Sequence, residues 1–210
     1  MSQFKNISAN AINQAPEASA FLSRIAALPK SPGAILDPVL APSVQDETEI
    51  RQLFAQDRQH PRLSNPYVGV VSVFEASTAS GIHATHARVI KDEDDAAAKY
   101  VFPLPQEKRR KEGEPCMVES LEDFQKNWAV FTEGSLVQLT DWSNVVAAGG
   151  SVLGCLLPLP KADRETKRTM RKFYHSSAYP TSDVDLFIWG LNAEQVSAMS
   201  YDIKYTKRIN

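Results

Sequence analysis

Cysteine is scarce in this chain, with Cys116 and Cys155 the only 2 in 210 residues and no C-x-x-C spacing between them. That excludes a scaffold knit by disulfides and points to a reduced intracellular setting. Cys155 lies in an apolar run and reads as a core residue. Long apolar runs are lacking too: none approaches the length of a bilayer span, and the opening Met1-Ser2-Gln3-Phe4-Lys5 has no hydrophobic signal core. No membrane contact is expected, and the location is read as cytoplasmic or nuclear. Excess charge is also lacking, with 23 Lys and Arg against 25 Asp and Glu, a formal net charge of −2. Such a balance excludes a protein that grips nucleic acid over its whole surface, while leaving room for local basic patches. No repeat of ankyrin length runs through the chain. What is there is enough for an ordinary core: 43% apolar residues in one large domain, or in one domain with an arm.

Residues 1–15 are rich in Asn, Ser, Gln and Ala and show no period. From Pro16 to Leu28, the residues Phe21, Leu22, Ile25 and Leu28 fall at helical spacing until Pro29-Lys30-Ser31-Pro32-Gly33 stops them. Pro32, Pro38 and Pro42 make residues 31–45 read as an extended linker, so 1–45 is an N-terminal helical arm with linker and 46–210 the main domain. Asp46-Glu47-Thr48-Glu49 opens a helix whose buried stripe is Ile50, Leu53 and Phe54. Tyr67–Phe74, rich in valine, predicts a strand. His83 and His86 form H-x-x-H, but on a strand they face opposite ways and hold no common ion. Asp92–Asp95 reads as a solvated helix start, and Glu107-Lys108-Arg109-Arg110-Lys111 as a solvated loop between prolines.

The strongest local signal is a helix capped by Ser120, with Asp123 three residues on, a largely aromatic face shared by Leu121, Phe124, Trp128 and Phe131, and a stop at Gly134. Then Asn144-Val145-Val146-Ala147-Ala148 enters Gly149-Gly150-Ser151, and the apolar Val152–Leu157 leaves it. This predicts strand, tight turn and short helix, with glycine backbone that lets a phosphate approach. Further on, Ser182-Asp183-Val184-Asp185-Leu186 carries two carboxylates two residues apart, so a strand points both to one face. Their mutual repulsion is relieved by a divalent cation such as Mg²⁺, whose open positions take phosphate oxygens.

Gly150-Ser151 followed by Ser182-Asp183-Val184-Asp185-Leu186 resembles the signature of the DNA polymerase β-like nucleotidyltransferase superfamily. The resemblance implies an α+β fold with a mixed sheet flanked by helices. It also implies a nucleoside triphosphate bound with Mg²⁺, and transfer of its nucleotide to a hydroxyl of a nucleic acid, protein or small molecule. Gly149, Gly150 and Ser151 would hold phosphates, and Asp183 and Asp185 would be catalytic and hold metal. The family's turn and acidic strand lie closer together than Gly150 and Asp183, which implies an insertion here. It also uses a third carboxylate on a later strand, and neither Glu194 nor Asp202 sits in a strand-like pattern. The chain stops at Asn210 without a turn signal and reads as cut. The run from Pro66-Tyr67-Val68-Gly69 through Phe131 to Asp141-Trp142-Ser143-Asn144 also resembles a region of fungal proteins labelled ankyrin-repeat proteins.

Within the insertion, Arg164, Lys167, Arg168 and Arg171 stand at i, i+3, i+4 and i+7. As a helix they form one positive stripe, with Arg164 and Arg168 placed to hold a triphosphate, or the stripe to hold an RNA or protein acceptor. A solvated face is the other reading. His175-Ser176-Ser177 reads as a lid or a plain loop. Asn192 caps a last helix with Ala193, Val196, Met199 and Ile203 inward. Two functions follow: a nucleotidyltransferase-like domain, or a non-catalytic protein-interaction module that keeps the fold without the chemistry.

Overall fold

The computed structural model describes residues 16–28, 37–65, 67–74, 105, 115–136, 139 and 141–206. They fall into two compact units divided after residue 116. In the first unit, helix α1 (Pro16–Ala26) begins with proline, whose fixed φ suits a first helical position, and carries Glu17 in its first turn. It packs on α2 (Asp37–Gln56), which gives the amphipathic arm its partner surface inside the unit. Arg24 Nη1 donates to Ser43 Oγ at 2.6 Å and to Asp46 Oδ2 at 3.1 Å. Arg62, from a single 3-10 turn (Pro61–Ser64), donates Nε to Glu17 Oε1 at 2.6 Å and Nη1 to Glu49 Oε2 at 3.4 Å. The hydrogen bond that Arg62 donates to Glu17 is the main reason that its guanidinium pKa is raised.

Three expectations for this unit are corrected. Residues 37–45 are helix, not extended linker: Pro38 occupies the first turn, where a backbone N–H has no partner anyway, and Pro42 is carried inside the helix. The boundary expected at 45/46 therefore falls within α2. Phe54 is 58% exposed instead of buried, with the Arg58 guanidinium 5.0 Å from its ring centroid. Tyr67–Phe74 is not a strand. Val68 N–H bonds to Asn65 O and Val70 N–H to Tyr67 O, and Gly69 has φ +74°, so local turns take the groups that a ladder needs. His83, His86, Asp92–Asp95 and Glu107–Lys111 lie outside the described residues.

The second unit starts with α3 (Leu121–Phe131). Ser120 Oγ accepts from Asp123 N–H at 3.0 Å and donates to the Asp123 carboxylate at 2.7 Å, the cap that the sequence predicts. Glu133 at φ +51° and Gly134 at φ +76° turn the chain out of it. There follow β1 (Val145–Ala148), α4 (Gly150–Leu156), and α5 (Lys167–Lys172), which runs on as a wider π turn through Phe173–Ala178. Last come β2 (Asp185–Ile188) and α6 (Ala193–Thr206). The two strands pair antiparallel, with Val145 opposite Ile188 and Ala148 opposite Asp185. The unit is thus α+β; its sheet, among the described residues, is this antiparallel pair.

The core is Phe131, Cys155, Leu159, Met170 and Tyr174, with Val184 packed against it from just ahead of β2. Phe131 meets Tyr174 edge-on, ring centroids 5.3 Å apart. The short α4 leaves carbonyls at its C-terminal end, and the neighbouring segment satisfies them: Asn127 Nδ2 donates to Cys155 O at 3.0 Å and Val118 N–H to Leu156 O at 2.8 Å. Asn192 caps α6 reciprocally with Gln195, and Val196, Met199 and Ile203 are half-buried, whereas Ala193, expected inward, is exposed. His175-Ser176-Ser177 is neither lid nor loop but part of the π turn. No described helix is long and apolar enough to cross a membrane.

Candidate functional site

The site begins where β1 ends. Beyond Ala148 the backbone turns at Gly149, with φ +79° and ψ −155°, a conformation open in practice only to glycine, and α4 starts at Gly150. Strand, tight turn and short helix follow one another as the sequence predicts. Across the sheet, the pairing of Ala148 with Asp185 brings the acid to this turn. The approach is close: a Cβ added to Gly149 would lie 2.6 Å from Asp185 Oδ2. Gly150 is different, because a Cβ there would meet nothing within 4 Å.

From Asp183 to Trp189 exposed and half-buried residues alternate strictly. Val184, Leu186 and Ile188 turn inward, while Asp183, Asp185, Phe187 and Trp189 turn to solvent. Regular pairing starts at Asp185, so Asp183, also exposed, lies just outside the strand. Among the described residues no hydrogen bond or ion pair engages either carboxylate, and no arginine neutralises them.

Ser151 reaches the turn but is 1% exposed, and its hydroxyl donates inward to Ala148 O at 3.4 Å. It braces the turn from within, one helical turn before the buried Cys155, and does not offer its hydroxyl on the solvent side. The predicted basic stripe is broken. Thr166 and Thr169 form a reciprocal cap that starts α5 at Lys167, leaving Arg164 in the bend before it. Arg171 is taken by Glu133 at the end of α3, with Nε donating to Oε1 at 2.7 Å. Arg164 and Arg168 are exposed, and neither makes a bond to Asp183 or Asp185. Phe187 and Trp189, on the acid face, were not singled out from the sequence, although the spacing D-x-D-x-F-x-W carried the signal.

Electrostatics decides what the turn can hold. A phosphate at the Gly149–Gly150 amides would sit against the Asp185 carboxylate. Two unit charges about 4 Å apart repel by roughly 1–4 kcal/mol between bulk-water and surface dielectrics. An anion therefore needs a cation between it and the acid. Two exposed carboxylates without protein partners are a donor set that fits Mg²⁺, which commonly takes one or two carboxylates and completes its shell with phosphate and water. Among the described residues no group of three or more His, Cys, Asp or Glu comes together. The buried thiol plays no part: burial pushes Cys155 up to about 12, which keeps it a protonated core group. In comparisons with known proteins, no family model, curated protein or solved structure matches this chain.

Proposed function

We propose that the second unit is a nucleotidyltransferase-like domain that binds a nucleoside triphosphate with Mg²⁺ and transfers its nucleotide to a hydroxyl acceptor, RNA or protein. The observation that carries this reading is the pairing of Ala148 with Asp185, which sets a carboxylate against the glycine turn. In this reading the backbone amides of the exposed Gly149 and Gly150 bind phosphate, and the lack of side chains there lets it approach. Asp183 and Asp185 hold Mg²⁺, which when bound supplies the neutralising charge that the triphosphate and departing pyrophosphate need. Ser151 keeps the turn in shape through Ala148 O. Arg164 and Arg168 remain free to meet the outer phosphates or the acceptor.

Thermal unfolding with and without ligand tests the proposal. A ligand at a hundred times its Kd stabilises the native state by about 2.7 kcal/mol. The expected result is an upward shift with MgATP, little shift with ATP in EDTA, and loss of the shift in Asp183→Ala and Asp185→Asn. No shift in the native chain with any Mg-nucleotide would leave the interaction module as the reading.

A further inference from the structure

The outer face of β2 continues past the acids. Phe187 is 57% exposed and Trp189 43%, and Val146, opposite Phe187 on β1, is 48% exposed. Trp189 still follows strand geometry, its N–H donating to Asn144 O at 3.0 Å. β2 and the residues flanking it thus present exposed side chains at alternate positions, first Asp183 and Asp185 and then Phe187 and Trp189. At strand rise, Phe187 lies about 7 Å and Trp189 about 13 Å beyond Asp185.

We propose that Phe187 and Trp189 are the stacking platform for the base of the nucleoside triphosphate; this rests on the function proposed above and names what holds the rest of that ligand. The charge pattern selects the occupant. The acid end attracts a cation-carrying group, and the aromatic end takes a flat, weakly polar face. A magnesium nucleotide has both ends in that order. A second copy docked on this face would bury the unpaired carboxylates of both chains without compensating charge, which opposes such a dimer. Stacking tolerates any base, because every base has a π face, so the platform supplies affinity and the choice of base lies elsewhere.

Calorimetric titration of the full chain with two probes, MgATP and magnesium tripolyphosphate, tests this. Both are expected to bind, MgATP the more tightly. In Phe187→Leu/Trp189→Leu, binding of MgATP should weaken roughly 5- to 150-fold while that of tripolyphosphate stays unchanged. Phe187→Tyr with Trp189 intact should restore most of the difference. If tripolyphosphate binds and MgATP gains nothing, or if the gain survives the double substitution, the platform is wrong and the phosphate site stands. If neither probe binds, both proposals fall. Sedimentation equilibrium that reveals a dimer dispersed by Phe187→Leu/Trp189→Leu would overturn the platform in favour of self-association.

Discussion

Replacing Gly149 and Gly150 separately by alanine should move stability in opposite directions, although the two are neighbours in one turn. At Gly149 two costs add. The backbone at φ +79° and ψ −155° lies where an L side chain is strained, worth about 1–3 kcal/mol. The new methyl also arrives 2.6 Å from Asp185 Oδ2, closer than contact allows. The carboxylate is the free end of a side chain and can swing away, so this second cost is small in energy but displaces the acid. At Gly150 the methyl enters open space on an ordinary helical backbone, and the gain is up to about 1 kcal/mol from helix propensity and a less free unfolded chain. For a unit of this size 1 kcal/mol corresponds to about 4–8 °C in Tm. Gly149→Ala should therefore lower Tm by roughly 4–24 °C, while Gly150→Ala leaves it level or raises it. Adding Asp185→Ala to Gly149→Ala should recover only the contact part, since the backbone strain stays. Thermal unfolding of the four proteins measures this. A Gly149→Ala protein as stable as the parent would refute the turn conformation.

Two further outcomes concern the core beneath the site. Asn127→Ala removes the donor to Cys155 O and leaves that carbonyl buried and unpaired, which should cost about 1–3 kcal/mol in urea unfolding; no loss would show that the bond does not hold α3 to α4. Alkali should weaken the fold. Burial pushes the Cys155 thiol up from its ordinary 9.0 to about 12, and burial, with Cys155 adding to it, pushes up the Tyr174 and Tyr179 phenols. Because the folded values lie above the unfolded ones, this stability is complete below about pH 9 and is lost as pH rises from there toward 12, at about 1.4 kcal/mol per unit for the thiol. Cys155→Ala should flatten the first part of that decline, and an unchanged profile would mean that the thiol is not the group responsible.

Where local chemistry decides, the sequence was readable. Ser120 and Asp123 fix the start of α3 between themselves, and the valines before Gly149 and the alternation through Asp185 favour strands that here pair with each other. Where packing or a competing cap decides, it misled. Pro38 and Pro42 argue for a linker, but Pro38 stands where a helix tolerates proline, and α2 gains its packing on α1. The basic spacing from Arg164 to Arg171 suits a helix, yet Thr166 and Thr169 start that helix three residues later, and the T-x-x-T spacing is the local mark of that cap. Gly69 breaks a valine-rich run that otherwise suits a strand. The inward turn of the Ser151 hydroxyl depends on which side of α4 meets the core, and no local pattern states that.

The two glycines also separate what folding requires from what a ligand requires. Gly149 is explained by the fold alone: its φ and the nearness of Asp185 both exclude a side chain, whether or not anything binds. Gly150 has no such reason, since its backbone is ordinary and no atom waits where a Cβ would go. A glycine at a helix start that alanine would serve as well or better favours a backbone kept bare from outside, by a group that comes from solvent onto the amides. In the proposed function that group also lies beside the Asp185 carboxylate, so its negative charge calls for a cation. In the function proposed above, bare backbone at 150 and unpaired acid at 185 are conditions on one ligand. Gly150→Ala should weaken MgATP binding while leaving the fold as stable as before, a combination that a purely structural glycine cannot produce.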